Sequence, residues 1–441
     1  MSKNILIISF ILSSFLNLNA QDKDKCLSIS ADVIRLFQQE KTDSIYLMFD
    51  EKMKSGLSEE NLSAIWPSFI ASDGTFQRYE NQRDKTIQSF LVVESDLVFE
   101  NKSYILRLTF DANNNLAGMF FVPIKTSKNN QNKLEDNADY KEENAIVKTG
   151  KIKLPAIVCL PKNTSKYPIV VFVHGSGPND KDETIGPNKI FMDLAHHFFF
   201  QAEDGIRYDK RTYVVQSTGD TSISYSGINE IVIDDAVSAI EMAEKIVPKG
   251  SKVFLIGHSM GAMLAPAIAQ RKTMLGGVVM LAGNARPLED LIMEQTQYLY
   301  GRDGLSKAEK KDLCKLKKKV KNVKKLDKFL TKGQSPELPL TNDTAFWRDF
   351  HQYNQIETAQ LMRMPVYILQ GERDYQVSMK DFNLWKESLG GKKNFEFKSF
   401  PKLNHIFHEG EGLSWPEEYN IQGNIPDYVV SEIAHWLLNN N

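Results

Sequence analysis

"FLIGHSMGAMLAP", residues 254–266, joins one apolar run to another through a short turn that contains two glycines. The Gly-x-Ser-x-Gly pattern predicts a sharp turn between a buried strand and a helix, with Ser259 at its tip. Gly257 and Gly261 have no β-carbon, so the strand and the helix can approach closely. The helix directs its first amides, including that of Met260, at negative charge forming nearby. Ser259 is therefore the predicted nucleophile, and a small residue in a structural turn is the alternative.

Strand and helix patterns alternate on both sides of this turn. Short apolar runs that suit buried strands include YPIVVFVHG, SKVFLIGHS, GGVVMLAGN and MPVYILQGERD, and helical patterns separate them. This alternation predicts an α/β fold with a doubly wound, mostly parallel sheet that helices cover on both faces. Sites in such sheets lie at the carboxyl ends of the strands. Ser259, Asp374 and His405 all follow strand patterns.

A serine nucleophile needs a base, and the base needs an acid that fixes its tautomer. His405 ends a strand pattern in the loop KLNH, whereas His435 falls in the terminal helix and His408 lies three residues further out. Asp374 follows the strand VYILQG, which gives the chain order serine, aspartate, histidine that this kind of sheet produces. The predicted triad is completed by His405 as base and Asp374 as acid, with Glu372 as the fallback acid.

A second oxyanion donor is expected in the loop after an early strand. The segment VFVHGSGPND (171–180) supplies such a loop, in which Gly175 and Gly177 let the backbone pass close to an acyl carbon. The amide of Ser176 is the predicted donor beside that of Met260. A dinucleotide-binding fingerprint is rejected, because its third glycine is replaced by Asp180.

The 441 residues exceed what one core usually holds, so two domains are expected. Residues 25–125 read as helices followed by strands, which predicts a small α+β domain. The polar segment 126–144 is predicted to be a linker, and residues 145–441 the catalytic domain. With 54 basic and 56 acidic side chains, the composition does not favour nucleic acid as a partner.

Residues 1–20 have the pattern of a secretory signal peptide, with one lysine, an apolar run and Ala20 before a polar stretch. The run is too short for a stable membrane span, so an exported protein, periplasmic or extracellular, is expected. The three cysteines are widely spaced and predict neither a disulfide framework nor a metal site. The adjacent His196 and His197 point to different faces of their helix, which disfavours metal binding.

A helical cap is predicted at about residues 286–360, between two strands of the sheet. Within it, Lys307–Lys332 holds twelve lysines and three acidic residues, with apolar residues recurring on one face. A cap helix with a solvated lysine face is favoured over a membrane- or anion-binding helix. Candidate lining residues of an acyl pocket, with ordinary core as the equal alternative, are Tyr298, Tyr300, Phe346, Trp347 and Phe350.

Two further groups are interpreted as structural. His258 lies inside the turn that carries the nucleophile. The charged segment RYDKR (207–211) is expected to form salt-bridged scaffolding, and binding of a substrate carboxylate by Arg207 or Arg211 is the alternative.

Together, "VHGSGPND", "RYDKRT", "GHSMGAMLAP", "QGERDYQV" and "LNH" resemble the α/β-hydrolase superfamily, in particular its exported bacterial acyl-esterase and serine-aminopeptidase-like members. The resemblance covers about residues 145–441. The segment before it is similar to a small domain of unknown function found ahead of such hydrolases. The resemblance implies a covalent acyl-enzyme on Ser259, with no metal and no organic cofactor.

One segment departs from the family pattern. Where a buried apolar strand is expected, the chain reads FFFQAEDGIR (198–207), and the polar residues QAED do not suit a parallel sheet. The sequence therefore predicts a compromised central strand. It also raises the hypothesis that Phe199–Arg207 replaces a different native segment, which resequencing the gene would test.

The sequence favours a serine hydrolase that cleaves small carboxylic esters or acylated substrates. A serine peptidase of the aminopeptidase or prolyl type would use the same triad. A non-catalytic binding protein of the cell envelope, built on a hydrolase scaffold, is the alternative from another class. Acyl length, natural substrate, the role of the small domain and the oligomeric state stay open at this point.

Overall fold

The structure is a computed structural model that describes residues 23–87, 90–124, 140–162, 167–198, 204–220, 222–223 and 225–441. The chain divides into two compact units, residues 1–133 and residues 134–441. The predicted signal peptide lies outside the described residues.

Helices open the N-terminal unit, and local capping explains where two of them begin. Its helices are α1 (Lys23–Gln38), α2 (Thr42–Leu47), α3 (Glu51–Gly56) and α4 (Glu59–Asp73). The Asp50 carboxylate accepts a hydrogen bond of 2.7 Å from the amide of Met53, which caps α3. The Ser58 hydroxyl accepts one of 3.2 Å from the amide of Asn61, which caps α4. Each side chain satisfies an amide that has no partner within its helix.

Strands complete this unit. They are β1 (Phe76–Ile87), β2 (Phe90–Phe99), β3 (Ser103–Phe110) and β4 (Leu116–Ile124), and among the described residues they form an antiparallel sheet in chain order. Alternate side chains of β2, such as Val93 and Leu97, are fully buried and share a core with Val33 and Phe37 of α1. The predicted small α+β domain is confirmed, with its helices packed on one face of the sheet.

A larger sheet organises the C-terminal unit. Its strands are β5 (Tyr140–Thr149), β6 (Ile152–Pro161), β7 (Ile169–Val173), β10 (Asp204–Tyr208), β11 (Val253–His258), β12 (Gly277–Leu281), β13 (Val366–Gly371) and β14 (Phe395–Phe400), and two short strands, β8 (Thr184–Ile185) and β9 (Asn188–Lys189), pair separately. Across the described residues the order is β14-β13-β12-β11-β7-β10-β6-β5. Among these strand pairs only β5–β6 and β6–β10 are antiparallel, and the others are parallel. The predicted mostly parallel sheet is confirmed.

Helices cover both faces of this sheet, which is why its central strands are apolar throughout. The helices of this unit are α5 (Ile190–Phe198), α6 (Arg211–Thr218), α7 (Asp234–Ile246), α8 (Met260–Arg271), α9 (Leu288–Tyr300), α10 (Lys307–Val323), α11 (Leu326–Leu330), α12 (Thr344–Gln352), α13 (Gln355–Gln360), α14 (Met379–Leu389) and α15 (Asp427–Asn440). Every residue of β7, β11, β12 and β13 is buried. No helix in the described part of the chain combines the length and apolar character needed to cross a membrane.

Two segments differ from the sequence-based expectation. Strand β5 begins at Tyr140, so the last five residues of the predicted linker, 140–144, belong to the sheet, because their backbone pairs with the apolar strand β6. The predicted compromised strand is present as β10, between β6 and β7. Its residues Ile206 and Tyr208 are buried, and the charge of Arg207 is neutralised by carboxylates. The remainder of the suspect segment, 199–203, lies outside the described residues.

The helices α9 to α13 lie between β12 and β13, where the sequence predicted a cap. The lysine-rich helix α10 begins with a capping box, in which Ser306 and Glu309 each bond the other's backbone amide. Its apolar face buries Leu313, Val320 and Val323. The lysines stay on the opposite, exposed face, as the cap-helix interpretation predicted.

Candidate active site

Ser259 occupies the strained turn that its sequence pattern predicted. It lies between β11 and α8 with φ 52° and ψ −115°, a backbone conformation that non-glycine residues rarely adopt. Its amide donates a hydrogen bond of 2.8 Å to the carbonyl of Leu281 in the neighbouring strand. A β-carbon on Gly257 would lie 2.6 Å from the backbone of Gly261, and one on Gly261 would overlap the carbonyl of Val173. Only glycine fits at these two positions.

Asp374 and His405 form the hydrogen-bonded pair that a general base requires. His405 Nδ1 lies 2.7 Å from Asp374 Oδ2, and both side chains are buried. Gln370 donates to the same oxygen at 2.9 Å, while the amides of Gln376 and Val377 donate to Oδ1 at 2.8 and 2.9 Å. Because a carboxylate only accepts, this contact places a proton on Nδ1, and in the neutral form of the ring Nε2 then keeps its lone pair. The acid loop thus fixes both the orientation and the tautomer of His405.

His258 links this pair to the turn that holds the serine. Its Nε2 lies 3.0 Å from the backbone carbonyl of His405, and the two imidazole centroids are 4.9 Å apart. Since His258 directly precedes Ser259 in the chain, these contacts place the backbone of His405 next to the turn that carries the predicted serine.

The two predicted oxyanion donors lie on either side of this turn. The amide of Met260 is the first of α8 and faces away from any helical acceptor. The loop of Ser176 passes directly over the serine, because a β-carbon on Gly175 would lie 3.1 Å from Ser259 Cβ. Neither the Met260 amide nor the Ser176 amide donates to another described group of the chain.

The alternative candidates lie elsewhere. Glu372 is exposed and accepts from the Ser399 hydroxyl at 2.7 Å rather than from His405. His435 is exposed on α15. His408 is buried, and burial lowers its pKa to about 4, so it stays neutral at ordinary pH.

A buried network of charged side chains supports the loop over the serine. Glu183 Oε1 accepts from the amide of Gly175 at 2.6 Å, and its Oε2 lies 3.1 Å from His258 Nδ1. Burial lowers the pKa of His258, but the Glu183 carboxylate, the His405 carbonyl and Asp374 together outweigh burial, so the net pKa is raised. Burial lowers the pKa of Lys210 to about 8, and its ammonium donates to the Gly175 carbonyl at 2.5 Å.

Sequence reasoning missed Glu183, placed Lys210 only within the scaffolding segment RYDKR, and assigned His258 a structural role. The signal was present for His258, since a histidine at the end of a buried strand must find partners for both ring nitrogens. For Glu183 and Lys210 the sequence gives no such sign, because their contacts join segments that are far apart along the chain.

The segment RYDKR forms the salt-bridged scaffolding that was predicted. Arg207 pairs with Asp182 and Glu142, and all three side chains are buried. Arg211 forms a two-pronged pair with Asp235, at 2.7 and 3.0 Å. These ion pairs engage both guanidinium groups, which disfavours the alternative of substrate binding.

An aromatic group joins the cap to the acid loop. Tyr298 of α9 stacks on Tyr375, the neighbour of Asp374, with ring centroids 5.1 Å apart and planes at 10°. The ring of Trp415 packs on Tyr298, with the two ring centroids 4.8 Å apart. Of the other candidate lining residues, Trp347 and Phe350 are buried in the core. For these two the ordinary-core interpretation holds.

Comparison with known proteins indicates the family of this chain. A family model described as "Serine aminopeptidase, S33" matches residues 225–411, and one described as "Protein of unknown function (DUF3887)" matches residues 30–119. Esterase EstD of Thermotoga maritima is 34% identical over 403 residues, which cover 90% of this chain and 92% of EstD. The chain belongs to the esterase EstD family of α/β-hydrolases. The family alignment thus spans both compact units.

Solved structures are similar to this EstD-family chain at low identity. Est1E from Butyrivibrio proteoclasticus is 14% identical, with a TM-score of 0.44, over 67% of this chain and 98% of Est1E. The Pyrococcus furiosus esterase Pf2001 is 14% identical, with a TM-score of 0.43, over 68% of this chain and 91% of its own.

Proposed function

We propose that this chain hydrolyses carboxylic esters of small molecules through an acyl-enzyme on Ser259. The observation that carries the proposal is the strained Ser259 beside a buried His405 whose tautomer Asp374 fixes at 2.7 Å. A serine alcohol is a weak nucleophile near neutral pH, and a neutral imidazole with a free Nε2 is the base that activates it. The relationship to esterase EstD supports an ester as the substrate class.

The proposed reaction has two halves. Oγ of Ser259 attacks the ester carbonyl carbon while Nε2 of His405 takes the hydroxyl proton, and the amides of Met260 and Ser176 bind the resulting oxyanion. The C–O bond to the alcohol then breaks, and His405 returns the proton to the departing alkoxide. Water next attacks the acyl-enzyme, again losing its proton to His405. The carboxylic acid leaves and Ser259 regains its proton.

The first test is hydrolysis of p-nitrophenyl esters of increasing acyl length, with labelling by a fluorophosphonate. Ser259→Ala is expected to lower kcat by about 10⁴-fold or more and to abolish the label. Ser238→Ala is the matched control, because this serine lies on α7 and donates to the carbonyl of Asp234. A folded wild-type protein that neither turns over nor labels would refute the proposal and favour the non-catalytic binding protein.

A peptidase is the second candidate, because the serine aminopeptidase model covers the serine, the acid and the histidine. The same triad cleaves amides. Aminoacyl p-nitroanilides, tested beside the ester series, separate the two activities by kcat/KM. We favour the ester because the EstD relationship extends over 90% of the chain.

We also propose that the protein is exported, on the pattern of residues 1–20. Cleavage after Ala20 would leave Gln21 as the first residue of the mature chain. Amino-terminal sequencing of protein recovered from the native cells tests this, and an uncleaved chain found only inside the cell would refute it.

A further inference from the structure

Glu183 is held in an unusual backbone conformation in the loop that follows β7. Its φ is 49°, in the left-handed region that non-glycine residues rarely adopt. Its side chain is buried, with a relative exposure of 1%. A strained non-glycine residue of this kind persists only when its surroundings hold it, and such residues cluster at functional sites.

The two carboxylate oxygens of Glu183 bind two different parts of the site. Oε1 accepts the Gly175 amide at 2.6 Å, which anchors the loop that carries Ser176. Oε2 lies 3.1 Å from Nδ1 of His258, the residue before the nucleophile. One carboxylate therefore joins the loop over the serine to the turn beneath it.

His258 carries the connection on to the base. Its Nε2 lies 3.0 Å from the backbone carbonyl of His405, and its Nδ1 faces the Glu183 carboxylate. Both neighbours can only accept, so a proton on each ring nitrogen suits both contacts, a hydrogen bond at Nε2 and a charge contact of 3.1 Å at Nδ1. The imidazolium form of His258 therefore fits this position better than either neutral tautomer.

The next peptide group, between Gly175 and Ser176, is also held. Its carbonyl accepts from Lys210 Nζ at 2.5 Å and from Asn179 Nδ2 at 3.2 Å. In a trans peptide the carbonyl of one residue and the amide of the next point in opposite directions. Binding the Gly175 carbonyl to Lys210 and Asn179 therefore directs the Ser176 amide away from them.

We infer that Glu183 is a positioning residue for the reaction proposed above: with a protonated His258 it holds the Gly175–Gly177 loop over Ser259, so that the Ser176 amide is in place before the oxyanion forms. The inference rests on the proposed function of Ser259. Glu183 itself touches no reacting atom, and it acts through the Gly175 amide and through His258. Preorganised donors of this kind lower the barrier because they need no reorganisation during the reaction.

Glu183→Gln is the sharpest variant, because glutamine keeps an acceptor for the Gly175 amide and removes only the negative charge. His258 then loses its counter-ion and becomes neutral. We expect kcat for p-nitrophenyl ester hydrolysis to fall by about 10- to 100-fold, while KM changes by less than about threefold. The second-order rate of fluorophosphonate labelling should fall by a similar factor.

Glu289→Gln is the matched control. Glu289 is also a fully buried glutamate paired with a histidine, at 2.7 Å from Nδ1 of His351, but it lies on α9 of the cap. We expect Glu289→Gln to leave kcat near the wild-type value. An equal loss of kcat in both variants, or a loss below about threefold in Glu183→Gln, would overturn the inference.

A titration of His258 by ¹³C NMR of labelled histidine gives a readout that a purely structural role would not move. The signal is assigned with a His258→Gln variant. The groups that act on this ring are Glu183, the His405 carbonyl and Asp374, and those that act on Glu183 also include His174 and Lys210. At pH 6.5 the ring should be mostly protonated in the wild type and mostly neutral in Glu183→Gln.

A second variant and the wild type itself distinguish failure of this inference from failure of folding or of the proposed function. If Glu183→Gln does not fold, Glu183→Asp replaces it and should lower kcat while His258 stays protonated. If neither variant folds, a His258 ring that is mostly neutral at pH 6.5 in the wild type overturns the inference. Failure of the wild type to turn over or to label Ser259 would instead refute the proposed function, whatever the state of His258.

Discussion

The N-terminal and C-terminal units differ mainly in the charged side chains that they bury: among the described residues these are Asp73 and Glu94 in the first unit and a larger set in the second. In the N-terminal unit an aromatic cluster fills the core, where Trp66 stacks on Phe37 with centroids 5.4 Å apart and contacts Phe99 at 5.3 Å. In the C-terminal unit, charged side chains such as Glu183 and Lys210 are as deeply buried as the apolar ones.

The two kinds of buried side chain serve different purposes, since aromatic rings mainly stabilise the fold and buried charges mainly orient or tune reactive groups. Burying an aromatic side chain stabilises the folded state and places no charge in a medium of low dielectric constant. Buried charges cost free energy unless they are paired, so they persist where orientation or proton affinity is needed. In this molecule they concentrate at the carboxyl ends of β7, β10 and β11, beside the candidate nucleophile.

After the loss of Ser259 itself, the largest effect is expected for the buried acid of the Asp374–His405 pair. Asp374→Asn should lower kcat for ester hydrolysis by about 10³- to 10⁴-fold, because an amide in place of Oδ2 favours the wrong tautomer of His405. The measurement is steady-state hydrolysis of p-nitrophenyl esters. Glu372→Gln, two residues away and exposed, is the control and should keep the wild-type rate. Equal losses in the two variants would contradict the assignment of the acid.

Next in size is the effect of opening the aromatic core of the other unit. Trp66→Ala should lower the free energy of unfolding by about 3–5 kcal/mol, because it removes a buried ring and leaves a cavity. Urea denaturation of the full chain, followed by circular dichroism, measures this. Phe120→Ala, at an aromatic residue that is 42% exposed, should cost less than about 1 kcal/mol. Similar losses of unfolding free energy in Trp66→Ala and Phe120→Ala would contradict the distinction between core and surface aromatic rings.

The smallest effect concerns a buried neutral histidine of the C-terminal unit. Burial lowers the pKa of His174 to about 4 from its ordinary value of 6.5. Between these values the unfolded chain binds the proton more tightly, so stability is lost as the pH falls from 6.5 towards 4. Protonation of His174 in the folded chain should lower the free energy of unfolding by on the order of 3 kcal/mol once the pH is below both pKa values.

Urea unfolding of the wild type and of His174→Asn at several pH values isolates that contribution. The variant should lose less stability than the wild type between pH 6.5 and 4.5. His435→Asn is the control, because His435 is exposed on α15. An unchanged pH dependence in His174→Asn would show that burial of this ring does not oppose its protonation.

The sequence was sufficient to predict the elements that depend on interactions between residues close together along the chain. The turn at Ser259 follows from two glycines between an apolar strand and a helix. The strands β7, β11, β12 and β13 follow from continuous apolar runs, which only a sheet covered on both faces can bury. Chain order together with strand ends indicated Asp374 and His405, which the structure joins by a hydrogen bond.

Tertiary structure decided what depends on contacts between distant segments. The start of β5 at Tyr140 was hidden, because a polar stretch becomes a strand when an apolar partner pairs with it. The strand β10 holds the charged Arg207 because Asp182 and Glu142 lie against it. Such pairings leave no periodic pattern along the chain.

The sequence by itself thus determined the fold class and the chemical groups of the candidate site, since periodicity and glycine geometry act within a few residues. The three-dimensional fold alone decided that Glu183, Lys210 and His258 meet around Gly175. They approach from two loops and from the end of strand β11, and burial strengthens the interactions of their charges in a way that no local pattern can reveal.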